Sequence, residues 1–349
     1  QSGLGQKSPT DASCPIFVPL NHFGLPFYPL CQGRRPGKTT DEIRYALQQQ
    51  IAWFNVENVA ELRIINDLAH SLGCQDVQIA LRLNPDITAN THPYIATGHG
   101  GAKFGLTPET ITQLLARQED YPQLRFAGIH IHIGSQLGDT QGTVQAVQKA
   151  LDLIRPYPQI RTVNIGGGMP AQYGKDNHPP TFDDFAQALE SPLKEYTVLL
   201  EPGRAIIADA GILLTQILYV KEQAGQRMYI TDASMSELIR PALYRAHHDI
   251  VPVYQSDTPL RTTQVVGPVC ETADVLGRNV LLPILKPADG LAILTAGAYG
   301  MVMASNYNAR PRPAEVVVSA DGKTWHIARH RETWDDLLRF EDSGSTSAQ

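Results

Sequence analysis

Glu201-Pro202-Gly203-Arg204 sets a carboxylate and a guanidinium three residues apart, directly after the apolar run 197–200. A carboxylate at a strand end can hold a protonated ring nitrogen, and an arginine meets phosphate or carboxylate through a forked pair of hydrogen bonds. About one strand-helix unit earlier, Gly166-Gly167-Gly168 follows the run 162–165. Consecutive glycines let the backbone approach an anion closely and turn its N–H groups inward, although the triplet alone is as readily a flexible turn. In a (β/α)8 barrel the loops after the last two strands commonly build a phosphate site. The two segments therefore point to an enzyme that holds a cofactor or substrate by its phosphate.

Further chemistry lies on either side. His130 and His132 alternate within 126–133, so a strand there would aim both at one face, and stacking of an imidazole on a flat cofactor is the favoured use. No third histidine, cysteine or carboxylate follows at a usual ligand spacing, and no metal is expected. Cys270 and Glu271, with Asp274 close behind, put a thiol beside two carboxylates. A buried inert cysteine is the ordinary alternative. Tyr299 lies in a turn-rich loop after a strand pattern.

The elements that must carry these groups alternate. Strands are predicted over 51–56, 77–83, 126–133, 162–165 and 197–200, and helices near 39–50, 59–72, 108–118, 140–154 and 182–193. Thr39 and Glu42 offer the reciprocal groups of a capping box. Apolar strands between amphipathic helices argue for a parallel sheet with helices outside. Beyond Gly211 the pattern turns strand-rich, with strands expected over 212–222, 228–231, 264–266, 290–294, 315–319 and 324–328. The expected organisation is an atypical segment 1–36, a barrel domain 37–211, a mainly β domain 212–341, and a disordered polar tail 342–349.

With 349 residues, 42% of them apolar, the chain can bury a large core, and a net charge of −6 in mixed sign offers no basic stripe for nucleic acid. Four scattered cysteines without CxxC spacing suggest reduced cytosol rather than a disulfide framework. Neither a membrane span nor a signal peptide is expected. The chain opens on Gln1 and its first methionine is Met169, which suggests a fragment.

Ten motifs occur in order: Gly37–Ile43, Asn55–Glu57, Leu81–Pro85, Thr91–Gly98, Lys103–Gly105, His132–Gln136, Gly166–Gly168, Glu201–Arg204, Cys270–Asp274 and Asn306–Pro313. Together they resemble the pyridoxal-phosphate decarboxylases of the alanine-racemase-like fold, and within them the diaminopimelate decarboxylases, over about 37–341. The resemblance implies a (β/α)8 TIM-type barrel followed by a mainly β domain, with pyridoxal 5′-phosphate as cofactor. It implies that His132 stacks on the cofactor ring and that Ser135, Gly166, Gly167, Gly168, Gly203 and Arg204 surround its phosphate. Glu201 would pair with the ring nitrogen, and Tyr299 would touch phosphate and substrate. Arg204, Arg240 and Tyr244 would grip a distal carboxylate and Glu271 a distal ammonium, which favours meso-diaminopimelate over ornithine. Cys270 would return a proton to carbon, reaching with Glu271 into the neighbouring subunit of a homodimer.

One departure stands out. The lysine that forms the Schiff base with the cofactor sits in relatives on the first strand, in a segment resembling Tyr-Ala-Val-Lys-Ala-Asn, and 1–36 contains no match. Lys38 and Lys103 fill other family positions, and Pro29–Pro36 stands where the third strand is expected. Low turnover and an open barrel are therefore expected, with a shifted reading frame or truncated gene as the source of 1–36. A decarboxylase of carboxynorspermidine or of a basic amino acid, or a non-catalytic regulatory homologue, are the alternative functions.

Overall fold

The computed structural model describes the backbone of Gln32–Gly33 and residues 37–341. The expectations for the rest of 1–36 and for 342–349 lie outside the described residues. The first half runs β1 (Gln32–Gly33), α1 (Thr40–Gln48), β2 (Trp53–Val56), α2 (Val59–Leu72), β3 (Val77–Leu83), α3 (Pro108–Leu115), β4 (Leu124–Ile131), α4 (Gln141–Ile154), β5 (Thr162–Asn164), α5 (Phe182–Leu193), β6 (Thr197–Leu199) and α6 (Gly203–Ile207). The six strands pair in parallel and in chain order, β1 to β6, as the wall of a barrel.

Local chemistry sets the helix ends. Thr39 and Glu42 form the predicted capping box at α1, and Thr181 and Asp184 form another at α5. Asn58 caps the start of α2, whose end is closed by Gly73 at φ 70°, a conformation that costs glycine little. The inner face of these helices packs Ile43, Leu62, Ile65, Ile111 and Val147 against Phe54, Ile79, Leu81, Ile129 and Val163 of the strands. Each large apolar side chain buried this way contributes roughly 1.5–3 kcal/mol, which fixes where the strand ends converge.

The second half runs β7 (Leu213–Gln223), β8 (Gln226–Thr231), α7 (Arg240–Tyr244), β9 (Ile250–Pro252), β10 (Arg261–Val266), β11 (Val275–Leu282), β12 (Gly290–Ile293), β13 (Glu315–Val318), β14 (Trp325–Arg329) and α8 (Trp334–Leu338). One sheet has the order β11-β10-β8-β7-β12-β9, with β8 and β10 parallel and the other pairs antiparallel, and β13 and β14 form a separate hairpin. Its core gathers Ile217, Tyr229, Val265, Leu276, Leu291 and Ile293.

The halves meet through two glycines. Gly297 donates to the Ala208 carbonyl at 2.9 Å, Ala296 donates to the Gly211 carbonyl at 2.7 Å, and a Cβ on Gly297 would overlap the Ile207 carbonyl. The loop carrying Tyr299 is thereby docked on the end of the barrel.

Three sequence expectations are corrected. The strand expected over 126–133 is β4, which starts at Leu124 and stops at Ile131, so His132 lies just beyond it. Strands β9 and β11 were not anticipated. Within the stretch read as replacing the third strand, Gln32 and Gly33 pair in parallel with Trp53 and Phe54.

Candidate active site

Three strand ends converge on Glu201. Its Oε1 accepts from Asn55 Nδ2 of β2 at 3.2 Å and from Asn164 Nδ2 of β5 at 2.9 Å, and His130 Nε2 of β4 lies 3.8 Å from the same oxygen. The glycine triplet is stitched to this group. Gly166 N–H donates to Asn164 Oδ1 at 2.9 Å, and Glu201 N–H donates to the Gly166 carbonyl at 2.8 Å. Gly166 at φ 68° and Gly168 at φ 102° need the freedom of glycine, and a Cβ on Gly167 would overlap the Glu201 carbonyl.

His132 joins the same cradle. Its Nδ1 accepts from Gly167 N–H at 3.1 Å, so the ring proton of the neutral form sits on Nε2. Burial, and secondarily the Arg82 guanidinium, pull its pKa down to about 4, which keeps the imidazole uncharged near neutrality.

Two guanidiniums lie where the barrel meets the β domain. Arg204, 7% exposed, gives Nε and Nη2 to Ser135 Oγ at 3.2 and 2.9 Å and Nη1 to Tyr173 Oη at 2.7 Å, with the Tyr299 ring centroid 4.6 Å away. Arg240, 4% exposed, lies 4.1 Å over the Tyr173 ring and gives Nη1 to His248 Nε2 at 2.7 Å. Neither forms a salt bridge with a carboxylate among the described residues. Burial lowers the Arg240 pKa, and nearby Arg204 adds to that effect. Two buried cations this close call for an anion, since an unpaired buried charge is strongly destabilising. Tyr244, at the end of the same short helix, sets its ring edge-on to His92 at 5.9 Å.

Cys270 and Glu271 sit differently. Both are exposed on the loop between β10 and β11; Asn308 Nδ2 lies 3.5 Å from Cys270 Sγ, and Tyr307 Oη donates to Glu271 Oε1. Beneath them Asp274 is buried, with Oδ1 accepting from Met235 N–H at 2.7 Å and Oδ2 from Val269 N–H at 2.8 Å. This clasp ties the thiol loop to the segment leading into Arg240.

Below Glu201 runs a buried ionic chain. Lys38 pairs with Glu61 and donates to the Asn55 carbonyl at 2.9 Å, Glu57 N–H donates to Glu61 Oε2 at 3.0 Å, and Arg82 pairs with Glu57 at 2.5 Å. Lys38 is thus committed to holding Asn55, the residue that orients Glu201.

The sequence profile described as "Pyridoxal-dependent decarboxylase, pyridoxal binding domain" matches residues 34–208. A diaminopimelate decarboxylase of Vibrio cholerae is 42% identical over 312 residues, covering 87% of this chain and 74% of its own length. One from Zymomonas mobilis is 39% identical over 312 residues, covering 87% and 73%. The crystal structure of the Helicobacter pylori diaminopimelate decarboxylase complexed with L-lysine superposes with a TM-score of 0.82 at 37% identity, covering 89% of this chain and 78% of that one. The chain belongs to the diaminopimelate decarboxylase family. Its architecture is the alanine-racemase-like barrel with a β domain, and its cofactor is pyridoxal phosphate.

The residues present fit a phosphorylated pyridine, the cofactor of the diaminopimelate decarboxylase family. Paired arginines with no carboxylate salt bridge among the described residues, and a carboxylate oriented by two amides, supply complementary groups for phosphate and ring nitrogen. The structure brings Glu201, His132, Ser135, the glycine triplet, Gly203 and Arg204 into one region, with Arg240 and Tyr299 beside it. Tyr173, His248, Asn55 and Asn164 were not assigned roles from sequence. Asn164 carried a signal, an amide ending its strand two residues before the glycine triplet; Tyr173 and His248 lie in irregular segments that carried none.

Proposed function

We propose that this protein decarboxylates meso-2,6-diaminopimelate to L-lysine and CO2, at low turnover because residues 1–36 hold no match to the segment that carries the Schiff-base lysine, and grips the end that does not react through Arg204, Arg240 and Tyr244. The reaction breaks one bond between an α-carbon and its carboxylate, releases CO2, and puts a proton in its place. When bound, pyridoxal phosphate supplies an electron-withdrawing ring that stabilises the electron pair left on carbon. Glu201 holds a proton on the ring nitrogen, and its orientation by Asn55 and Asn164 keeps the carboxylate in line. His132, kept uncharged by burial, would stack on that ring. Ser135, Arg204, Gly203 and the glycine triplet hold the phosphate, with Tyr299 covering Arg204.

The single observation that carries this reading is the pair of buried arginines around Tyr173 with no carboxylate beside them among the described residues. One cation suits the phosphate, and the second suits a carboxylate that ornithine would not supply at its side-chain end. Cys270 serves as the proton donor to carbon and Glu271 as the partner of the distal ammonium, in the site of a second copy. Their exposure supports that assignment, since both project outward on a braced loop. The thiols of Cys74 and Cys270 are free among the described residues, in keeping with action in the reducing cytoplasm.

Titration with pyridoxal phosphate, followed by absorbance, tests the cradle: Arg204→Met is expected to weaken binding at least about 30-fold, as for loss of a charge-assisted fork. CO2 release from meso-diaminopimelate but not ornithine tests the substrate. Mixing Cys270→Ala chains with Arg240→Met chains tests the shared site, because only an assembly that contributes residues across its interface regains activity on mixing. Tight cofactor binding by Arg204→Met would remove the basis of the reading.

A further inference from the structure

Arg240 has five N–H donors in one plane, and the structure accounts for part of them. Nη1 donates to His248 Nε2 at 2.7 Å, and the guanidinium lies 4.1 Å over the face of Tyr173. Its Nε is buried with no hydrogen-bond partner among the described residues. One in-plane bond and one face contact fix both the tilt and the rotation of a planar ion. On an arginine the edge formed by Nε and Nη2 is the side-on fork that takes both oxygens of a carboxylate.

His248 is arranged to leave that edge available. It is 2% exposed, and its Nδ1 faces the Leu294 carbonyl at 2.9 Å. A carbonyl cannot donate, so Nδ1 carries the proton and Nε2 is the acceptor that Arg240 needs. The Tyr173 ring stands edge-on to the imidazole at 5.0 Å and braces both partners. A pKa drawn down to about 4, chiefly by burial, agrees with a neutral ring.

We propose that His248 is a positioning residue for substrate specificity: by occupying Nη1 of Arg240 it reserves the Nε/Nη2 edge for the carboxylate of an α-amino acid. This rests on the reading of Arg240 as the distal-carboxylate group. A side chain that could not accept at this position would leave the guanidinium free to rotate, and discrimination for the carboxylate would fall while the rest of the site stayed intact. Gln can place an acceptor toward Arg240 and a donor toward Leu294, and so imitates both bonds of the imidazole.

The probes are L-lysine, which keeps the distal carboxylate, and cadaverine, which has the same two amines and none. Calorimetric affinities are measured on the full chain with pyridoxal phosphate present. In His248→Leu the affinity for L-lysine is expected to fall about tenfold, with cadaverine within about twofold of the unaltered chain and His248→Gln restoring most of the loss. Unchanged lysine affinity in His248→Leu, alongside a loss in Arg240→Met, overturns the role of His248 alone. Equal lysine affinity in Arg240→Met and the unaltered chain sinks the reading of Arg240 beneath it. Should His248→Leu not fold, the ring tautomer of the unaltered chain at neutral pH, read from long-range proton–nitrogen NMR, decides: a proton on Nδ1 supports the proposal, and a proton on Nε2 ends it.

Discussion

Around Glu201, three strand ends supply amides and imidazoles that are buried or nearly so, whereas Cys270 and Glu271 stand exposed on one loop with Asn308 and Tyr307 as their side-chain partners. The first group is held by the barrel itself: Lys38 and Glu61 fix Asn55, Asn55 fixes Glu201, and Glu201 is bonded to the glycine turn. The second is braced from below by the Asp274 clasp, with Asn308 and Tyr307 meeting its side chains at the surface. Disturbing the barrel cluster should therefore cost stability and function together, and disturbing the loop residues should cost function with stability spared.

The strongest challenge to that contrast is Lys38→Met. Glu61 would stay buried without its cation, and breaking one partner of a buried pair typically costs about 3–5 kcal/mol. Urea denaturation is expected to show that loss, together with weaker cofactor binding as Asn55 relaxes. A change below about 1 kcal/mol, within the range of a surface pair, would mean that the ionic chain does not support the site.

Acid should act on the same region. His132 and His248 are both depressed from 6.5 to about 4, chiefly by burial. The unfolded chain takes up those protons at higher pH than the folded one, so their stability contribution is complete above pH 6.5 and is lost as pH falls toward 4. Linkage puts the loss on the order of 3 kcal/mol per histidine. Melting temperatures measured between pH 7 and 4.5 should fall with acid, and His132→Gln should flatten the slope. An identical slope in that variant would show that the imidazole is already solvated.

Asp274→Asn comes next. Each carboxylate oxygen accepts one backbone N–H, from Met235 and from Val269, and an amide can satisfy only one of them. A buried donor left unpaired costs about 1–3 kcal/mol. Gly267→Ala should mimic the effect, because a Cβ there would meet the Asp274 carboxylate, Oδ1 lying only 2.6 Å away. If Gly267→Ala were neutral, the clasp would be looser than its distances imply.

How far this was legible in sequence depended on what each residue must do locally. The glycine triplet announced itself because the Glu201 carbonyl and two positive-φ positions leave no room for a side chain. The helix cap at Thr39 was written in adjacent residues; the one at Thr181, of the same kind, was seen only in the fold. Strand β11 was hidden because Gly277-Arg278-Asn279 reads as a turn; in the fold Asn279, at φ 53°, sits in a bulge where the register with β10 shifts. Tyr173 and His248 were hidden for another reason. Tyr173 meets Arg240 and His248 only when the β domain docks on the barrel, and no local period records that contact.

The smallest effect on stability should come from Tyr307→Phe. The variant removes one hydroxyl that donates to Glu271 at an exposed site, where water replaces the lost bond, so the melting temperature should be essentially unchanged. The Glu271 carboxylate holds the Tyr307 phenol above its ordinary range, and without that partner its own side chain becomes free to turn. If Glu271 meets the distal ammonium of a substrate in a neighbouring copy, the Michaelis constant for diaminopimelate should rise while the melting temperature stays fixed. A fall in melting temperature as large as that of Asp274→Asn would place the exposed pair among the supports of the fold and erase the distinction between the two clusters.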